Sequence, residues 1–214
     1  MDRARSSGVL LHPTSLPGPY GIGDLGPQAH GWIDFLADTG TTWWQILPLG
    51  PTGYGDSPYQ CFSSFAGNPY LISPEMLQQE GLLSGDDLVD APDFPMEEVD
   101  YGVVIPWKLD LLDRAYTQFV RGEFPGLERD LQTFREQEAN WLDDYVLFMA
   151  IKATQAGKPW VKWPAPLRDR EAEVLDHFAQ EHRPMVDKHT FRQFLFYRQW
   201  NHLRDHARQR GVKI

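Results

Sequence analysis

The sequence predicts an α/β fold that opens with parallel strands. Three observations predict it: a short apolar run at residues 8–11, a helical stripe that starts at Pro27, and a second run rich in Thr, Trp and Ile at 41–49. Two parallel strands cannot be joined by a tight turn, and a strand, a helix and a strand in that order supply the long crossover they need.

Each element carries its own signals. Gly8 precedes the first run and Pro13 follows it, which bounds a short strand read as buried. His12 to Gly21 is loop by its Pro and Gly content. Pro27 suits the first turn of a helix, with Gly26 as its cap. Ala29, Trp32, Ile33 and Leu36 share one face, and Gly40 is placed to end the helix. The run at 41–49 is a strand by composition, with Pro48 near its end. Residues 50–70 then form a long loop rich in Gly, Pro, Ser and aromatics, and ordered loops of that length are often functional.

The rest is mainly helical. Ser73-Pro74 can start a short helix and Gly81 can end it, while 85–100 is acidic, contains Pro and reads as irregular. Pro106 is expected to start a helix with Leu109, Leu112, Tyr116 and Phe119 on its stripe. A long helical pattern follows through Leu131, Phe134, Trp141, Leu142, Tyr145, Phe148 and Met149, until 158–166 breaks it with Pro and two Trp. A last helix covers about 185–209, with Phe191, Phe194, Leu195 and Arg198 facing one way. Gly211 ends it, and 212–214 reads as the start of another strand, so the chain is expected to continue. Three segments result: 1–72 with the first strands and the long loop, 73–184 as a mainly helical insert, and 185–214 as a return helix with the start of a third strand.

Composition narrows the function. At 42% hydrophobic and 23% charged, the chain can bury a core. Its net charge of −10 argues against a nucleic-acid surface, which needs clustered Lys and Arg. No stretch approaches the ~20 apolar residues that cross a bilayer, and 9–11 is too short for a secretory h-region, so the expected compartment is cytoplasmic. A single cysteine, Cys61, cannot form an internal disulfide and is read as a half-buried loop thiol rather than a nucleophile. No His, Cys and carboxylate cluster has ligand spacing, so neither a metal nor another cofactor is expected.

The unusual figure is the aromatic content: 8 Trp, 8 Tyr and 12 Phe. Several stand in the loop that reads PLGPTGYGDSPYQCFSSFAGNPY from Pro48 to Tyr70. In an α/β barrel, loops after the strands build the site. This loop suits a sugar. Pyranose rings have flat C–H faces that stack on Tyr, and hydroxyls that need short polar partners such as Asp56, Ser57 and Gln60. Gly53 and Gly55 let the backbone turn sharply, and Pro58 stiffens it. Tyr54 and Tyr59 neighbour Gly or Pro without apolar periodicity and are read as functional, whereas Phe62, Phe65 and Tyr70 are read as anchors to the core. His12 follows the first strand and is read as capping its loop, with a sugar hydroxyl as the other use of its ring.

These residues resemble those of a known family, the amylomaltases or disproportionating enzymes of the α-amylase clan. The resemblance rests on GVLLHPTSLPGPYGIGDLG from Gly8 to Gly26 and WQILPLGPTGYGDSPYQ from Trp44 to Gln60. AGNPYL from Ala66, VDYG from Val99, WLDDY from Trp141 and FYRQW from Phe196 add to it, in family order. The resemblance implies the first part of a (β/α)8 TIM barrel with a largely helical inserted subdomain. It implies a 4-α-glucanotransferase that acts on maltooligosaccharides and other α-1,4-glucans by a retaining mechanism. The family's catalytic carboxylates belong to later strands, so no catalytic residue is assigned here. Tyr59 matches the tyrosine that stacks on the sugar at the cleavage point, with Ser57 beside it and Asp56 and Gln60 in the same motif. Tyr54 and Tyr101 match aromatics of a second glucan-binding groove. The alternative reading is a stand-alone glucan-binding module without catalysis.

Overall fold

The structure is a computed structural model, and it describes residues 5–214. The part of the segment 1–72 that precedes Arg5 lies outside the described residues. The elements form an α/β chain of two compact units: residues up to Glu123 together with Leu195–Ile214, and Phe124–Phe194.

In the first unit, β1 (Gly8–Leu10) pairs in parallel with β2 (Trp43–Gln45), in the register Gly8 to Trp43, Val9 to Trp44 and Leu10 to Gln45. The crossover is α1 (Pro27–Asp38), with Gly26 at its N-cap as the sequence predicts. Gly8 has a packing reason: a Cβ there would lie 2.8 Å from Trp43 Cβ. The residues after Gly211 continue the sheet. Lys213 bridges Trp43 in parallel, its N–H donating to Thr42 O at 2.9 Å and its carbonyl accepting from Trp44 N at 2.8 Å. Trp44 is fully buried and its Nε1 donates to Leu11 O at 2.7 Å, locking the end of β1 to β2.

Burial of the first strand does not match the sequence reading. Gly8, Val9 and Leu10 are all exposed, because among the described residues β2 covers one edge of β1 and neither face is packed over. Regular pairing in the second strand spans only Trp43–Gln45 of the run at 41–49.

Downstream come α2 (Pro74–Gln79), α3 (Asp86–Val89) and α4 (Tyr101–Arg121). Two expectations are corrected here. Four residues of the segment read as irregular, Asp86–Val89, form a helical turn: Asp87 braces its start, accepting from Ser84 N at 2.8 Å and Ser84 Oγ at 2.6 Å. The helix expected to start at Pro106 starts earlier. Asp100 is its N-cap, accepting from Gly102 N at 2.9 Å and Val103 N at 3.3 Å, and Pro106 lies inside. A capping carboxylate satisfies free N–H groups at the helix start, so it outweighs the positional preference of Pro.

One buried polar cluster ties these elements together. Lys108 of α4 is 1% exposed. Its Nζ donates to Asp24 Oδ2 at 3.1 Å and to Ile72 O at 2.9 Å, while Asp24 Oδ1 accepts from Gly26 N at 2.9 Å. Burial pulls the Lys108 ammonium below its usual range, and Asp24 opposes that pull.

The long helix α9 (Arg183–Gln209) contributes residues 195–209 to this unit. Gln199 fixes the chain before α2: its Oε1 accepts from Ser73 N at 2.7 Å and its Nε2 donates to Ser73 O at 3.2 Å. Phe196 lies so close to Gly67 that a Cβ on Gly67 would fall 1.9 Å from its ring. His30 of α1 meets His202 and His206 of α9, with ring centroids 5.0 and 5.1 Å away. Nδ1 of His30 faces the Gly26 carbonyl at 3.0 Å and so carries the proton, leaving Nε2 to accept from His202 Nδ1 at 3.1 Å. His206 and Arg210 both reach the Asp34 carboxylate, each at 2.9 Å.

The second unit holds α5 (Pro125–Gln137), α6 (Leu142–Thr154), α7 (Ala165–Arg168), α8 (Ala172–Glu181) and the first part of α9. Thus the long pattern read through Leu131 to Met149 is two helices, parted where Glu138 O accepts from both Trp141 N and Leu142 N. Ala150, Ile151, Trp163 and Phe178 form its buried centre.

Two outcomes follow. Lys108→Met should lower stability by about 3–5 kcal/mol, because it leaves Asp24 buried without its cation; the measurement is the urea midpoint. Burial, with His202 and His206 adding to it, holds the His30 pKa below the ordinary 6.5. The unfolded chain therefore takes up this proton first as pH falls, so the neutral ring's contribution is complete above about 6.5 and is lost as pH falls through the folded pKa. Between about pH 7.5 and 5.5 the urea midpoint should drop more in the wild-type chain than in His30→Gln.

Candidate functional site

The long loop after β2 is a closed, ordered structure. At its base Asn68 N donates to Leu49 O at 2.8 Å. Inside it, residues 51–62 fold back as a small hairpin: Gly53 N donates to Gln60 O at 2.7 Å, Phe62 N to Pro51 O at 3.4 Å, and Thr52 bridges Cys61 in antiparallel sense. A Cβ on Gly53 would lie 2.7 Å from Gln60 O, so this close approach requires glycine.

A 3-10 turn at Tyr54–Asp56 forms the tip, with Gly55 at φ 66° and Asp56 at φ 53°. Both angles are left-handed; glycine takes them freely and Asp is among the few others that do. Ser57 then braces the following turn. Its Oγ accepts from Tyr59 N at 3.3 Å and its carbonyl accepts from Gln60 N at 3.1 Å.

The braced hairpin presents Tyr59, which is 71% exposed, with Gln60 exposed beside it. Asp56 and Ser57 are half-buried. The side chain of Tyr54 lies outside the described residues. Tyr101, the first residue of α4, is half-buried. Burial raises its pKa first, the nearby charge of Asp56 raises it further, and a hydrogen bond with the Thr14 hydroxyl opposes both. The geometry therefore brings together the loop after β1, the hairpin after β2 and the start of α4. Of the residues singled out from sequence, it joins Tyr101 to Asp56 and Ser57 to Tyr59. Thr14 was missed; it lies within the Gly8 to Gly26 motif, and nothing in its local pattern marks it.

Other expectations change. His12 occupies the N-cap position of the turn Pro13–Ser15, yet its side chain makes no capping bond. Its Nδ1 is buried without a partner, and burial lowers its pKa, which keeps the ring neutral at neutral pH. Thr52 Oγ1 is likewise buried and unpartnered. Buried polar atoms without partners are uncommon. Cys61 is exposed rather than half-buried, since its side chain lies on the open side of the hairpin over Gly50. Phe62 and Phe65, read as core anchors, are 39% and 60% exposed. The backbone of this stretch is anchored: Ser63 Oγ accepts from Phe65 N and Ala66 N, each at 3.1 Å, and Phe65 O accepts from the Tyr197 hydroxyl. Tyr70 is half-buried.

An α/β chain with an aromatic hairpin after its second parallel strand, lined by hydroxyls and one carboxylate, has the makings of a carbohydrate-active protein. The chain belongs to the 4-alpha-glucanotransferase family, whose sequence profile matches residues 11–214. It is 48% identical over 214 residues to a 4-alpha-glucanotransferase of Thermus thermophilus, covering 100% of this chain and 42% of that protein. It is 45% identical over 210 residues to one of Synechocystis, covering 98% and 42%. The chloroplastic/amyloplastic 4-alpha-glucanotransferase of Solanum tuberosum is 39% identical, covering 100% and 37%. Among solved structures, the amylomaltase from Streptococcus agalactiae in complex with acarbose matches with a TM-score of 0.93 at 39% identity, covering 99% of this chain and 42% of that one. The chain thus spans about two fifths of the length of these bacterial relatives.

Gly53→Ala should open the hairpin. The expected loss is about 1–3 kcal/mol of local stability, since the obstacle is a backbone oxygen that cannot move alone; faster amide exchange at residues 53 and 62, with α1 amides unchanged, is the readout.

Proposed function

We propose that this chain is the N-terminal part of a 4-α-glucanotransferase that moves α-1,4-glucan segments between maltooligosaccharide or starch chains. Family membership supports this reading, and the observation that carries it is the exposed Tyr59 on a hairpin braced by Ser57 and closed through Gly53. A ring fixed in this way offers a flat platform to a glucose unit with little ordering left to do on binding. Asp56, Ser57 and Gln60 supply polar partners for its hydroxyls. Tyr101, with Tyr54, forms a further groove that guides a longer chain.

In this reading the strands are the start of a (β/α)8 barrel, residues 73–184 are a helical insert, and 185–214 return to the barrel. Chemistry follows the retaining route. One carboxylate attacks the anomeric carbon and forms a glycosyl-enzyme; a second protonates the departing oxygen, then deprotonates the 4-hydroxyl of the acceptor sugar that displaces the enzyme. Neither carboxylate is assigned to this chain, whose part is to hold the donor. Among the described residues no helix is long and apolar enough to cross a membrane. With one cysteine in the sequence, a cytoplasmic protein is the consistent compartment.

The test is incubation of the intact gene product with maltotriose. Glucose together with longer maltooligosaccharides is the expected result, whereas glucose without them means a hydrolase, and no turnover with retained glucan binding means a binding module. Tyr59→Ala should lower turnover up to about tenfold, more than it weakens substrate binding, as a lost stacking contact of ~0.5–1.5 kcal/mol implies. Tyr101→Ala should shift the product size range with maltotriose turnover near wild type.

A further inference from the structure

We propose that the unit formed by Phe124–Phe194 carries a glucan-binding site of its own, other than the Tyr59 hairpin and the Tyr54 and Tyr101 groove: an aromatic cavity with Trp160 at its mouth. The proposal rests on the glucanotransferase reading and extends it to a site outside the hairpin. The cavity holds about 310 Å³ and is lined by Phe148, Trp160, Trp163, Leu167, Arg168 and Arg170, among others. That is near the small end of ligand pockets, which run ~300–1,000 Å³, and suits a short saccharide.

Its floor is rigid. Trp163 is buried, its Nε1 donates to Lys158 O at 3.0 Å, and its ring packs on Phe148 with centroids 5.3 Å apart. Trp160 is 54% exposed, a large aromatic left open to water. It opens a 3-10 turn, Trp160–Lys162, with Pro159 before it and Pro164 after it, so the ring is carried on a stiff backbone. Arg170 holds a left-handed backbone at φ 60°, and such geometry in a residue other than glycine collects at ligand sites.

The rim decides the ligand class. Arg168 donates from Nε and one terminal nitrogen to both Asp169 oxygens, at 2.8 and 3.0 Å, and Arg170 donates to Asp144 at 2.5 Å. Both guanidinium groups that line the cavity are therefore paired with carboxylates, so neither is an unmatched cation for a phosphate or a fatty acid headgroup. What remains is an apolar, aromatic lining edged by the N–H groups of two charge-balanced guanidinium groups. A pyranose has that layout in complement: apolar faces and a polar, uncharged equator. An α-1,4-glucan engaged here would tether a long polymeric substrate to the protein, while a trisaccharide would not need it.

The experiment compares the intact gene product with Tyr59→Ala/Tyr101→Ala, and with that pair plus Trp160→Ala or Trp160→Phe, by retardation in amylose gels and by maltoheptaose titration. Retardation should survive the double change and vanish when Trp160→Ala is added, with the maltoheptaose Kd rising about tenfold. Trp160→Phe should keep most of it. Trp160→Ala alone should leave maltotriose disproportionation unchanged and slow the action on amylose. Retardation that ignores Trp160→Ala overturns the proposal even if disproportionation is normal. So does an absence of glucan binding in the Tyr59→Ala/Tyr101→Ala protein, or a cavity that takes up decanoate and not maltoheptaose. Trp160-dependent retardation without disproportionation keeps this site and sinks the transferase reading instead.

Discussion

The first unit is organised around one buried ion pair. Asp24 and Lys108 come from distant parts of the sequence, and their pairing connects the loop after β1, the first N–H of the α1 cap, the carbonyl of Ile72 and the middle of α4. A buried charge without its partner is strongly unfavourable, so each of these four backbone positions is restricted by the other three. Asp24 cannot shift without losing Gly26 N, and α4 cannot slide without removing the cation. Tyr101 rides on the same helix, so its approach to Asp56 and Thr14 depends on this anchor.

Several of the residues that made the family legible build scaffold. Gly67 lies under the Phe196 ring, Asn68 accepts from Tyr70 N, Gln199 clamps Ser73 through both of its amide atoms, and Arg198 pairs with Glu80. The AGNPYL and FYRQW motifs are thus two halves of one packed contact that holds the base of the long loop. A hairpin tip can present an exposed ring in a fixed place only if its base is held in this way.

How much could be read in advance follows from the range of the forces involved. The parallel pairing and the α1 crossover were legible because strand runs, Gly caps and helical stripes are local signals, whereas 212–214 read only as a strand start and its partner Trp43 is a long-range contact. The start of α4 was misplaced because Pro106 and Asp100 both resemble helix starts, and only the structure shows Asp100 accepting the N–H groups. Exposure was the weakest reading. Phe65 is apolar, yet it is 60% exposed, while its backbone is held by Ser63 and the Tyr197 hydroxyl. The meeting of Tyr101, Asp56 and Thr14 was invisible, since three segments must fold before those groups become neighbours.

The sheet has a consequence for how the molecule behaves in solution. Parallel strands are ordinarily covered on both faces, yet here Leu10 of β1, Trp43 of β2 and Ile214 beyond the Lys213 bridge are 56%, 44% and 37% exposed, and β1 has no strand on its other edge among the described residues. Such an edge is a template for another chain's backbone. Pairing of a further strand along β1 and cover over the sheet would take these apolar side chains out of water.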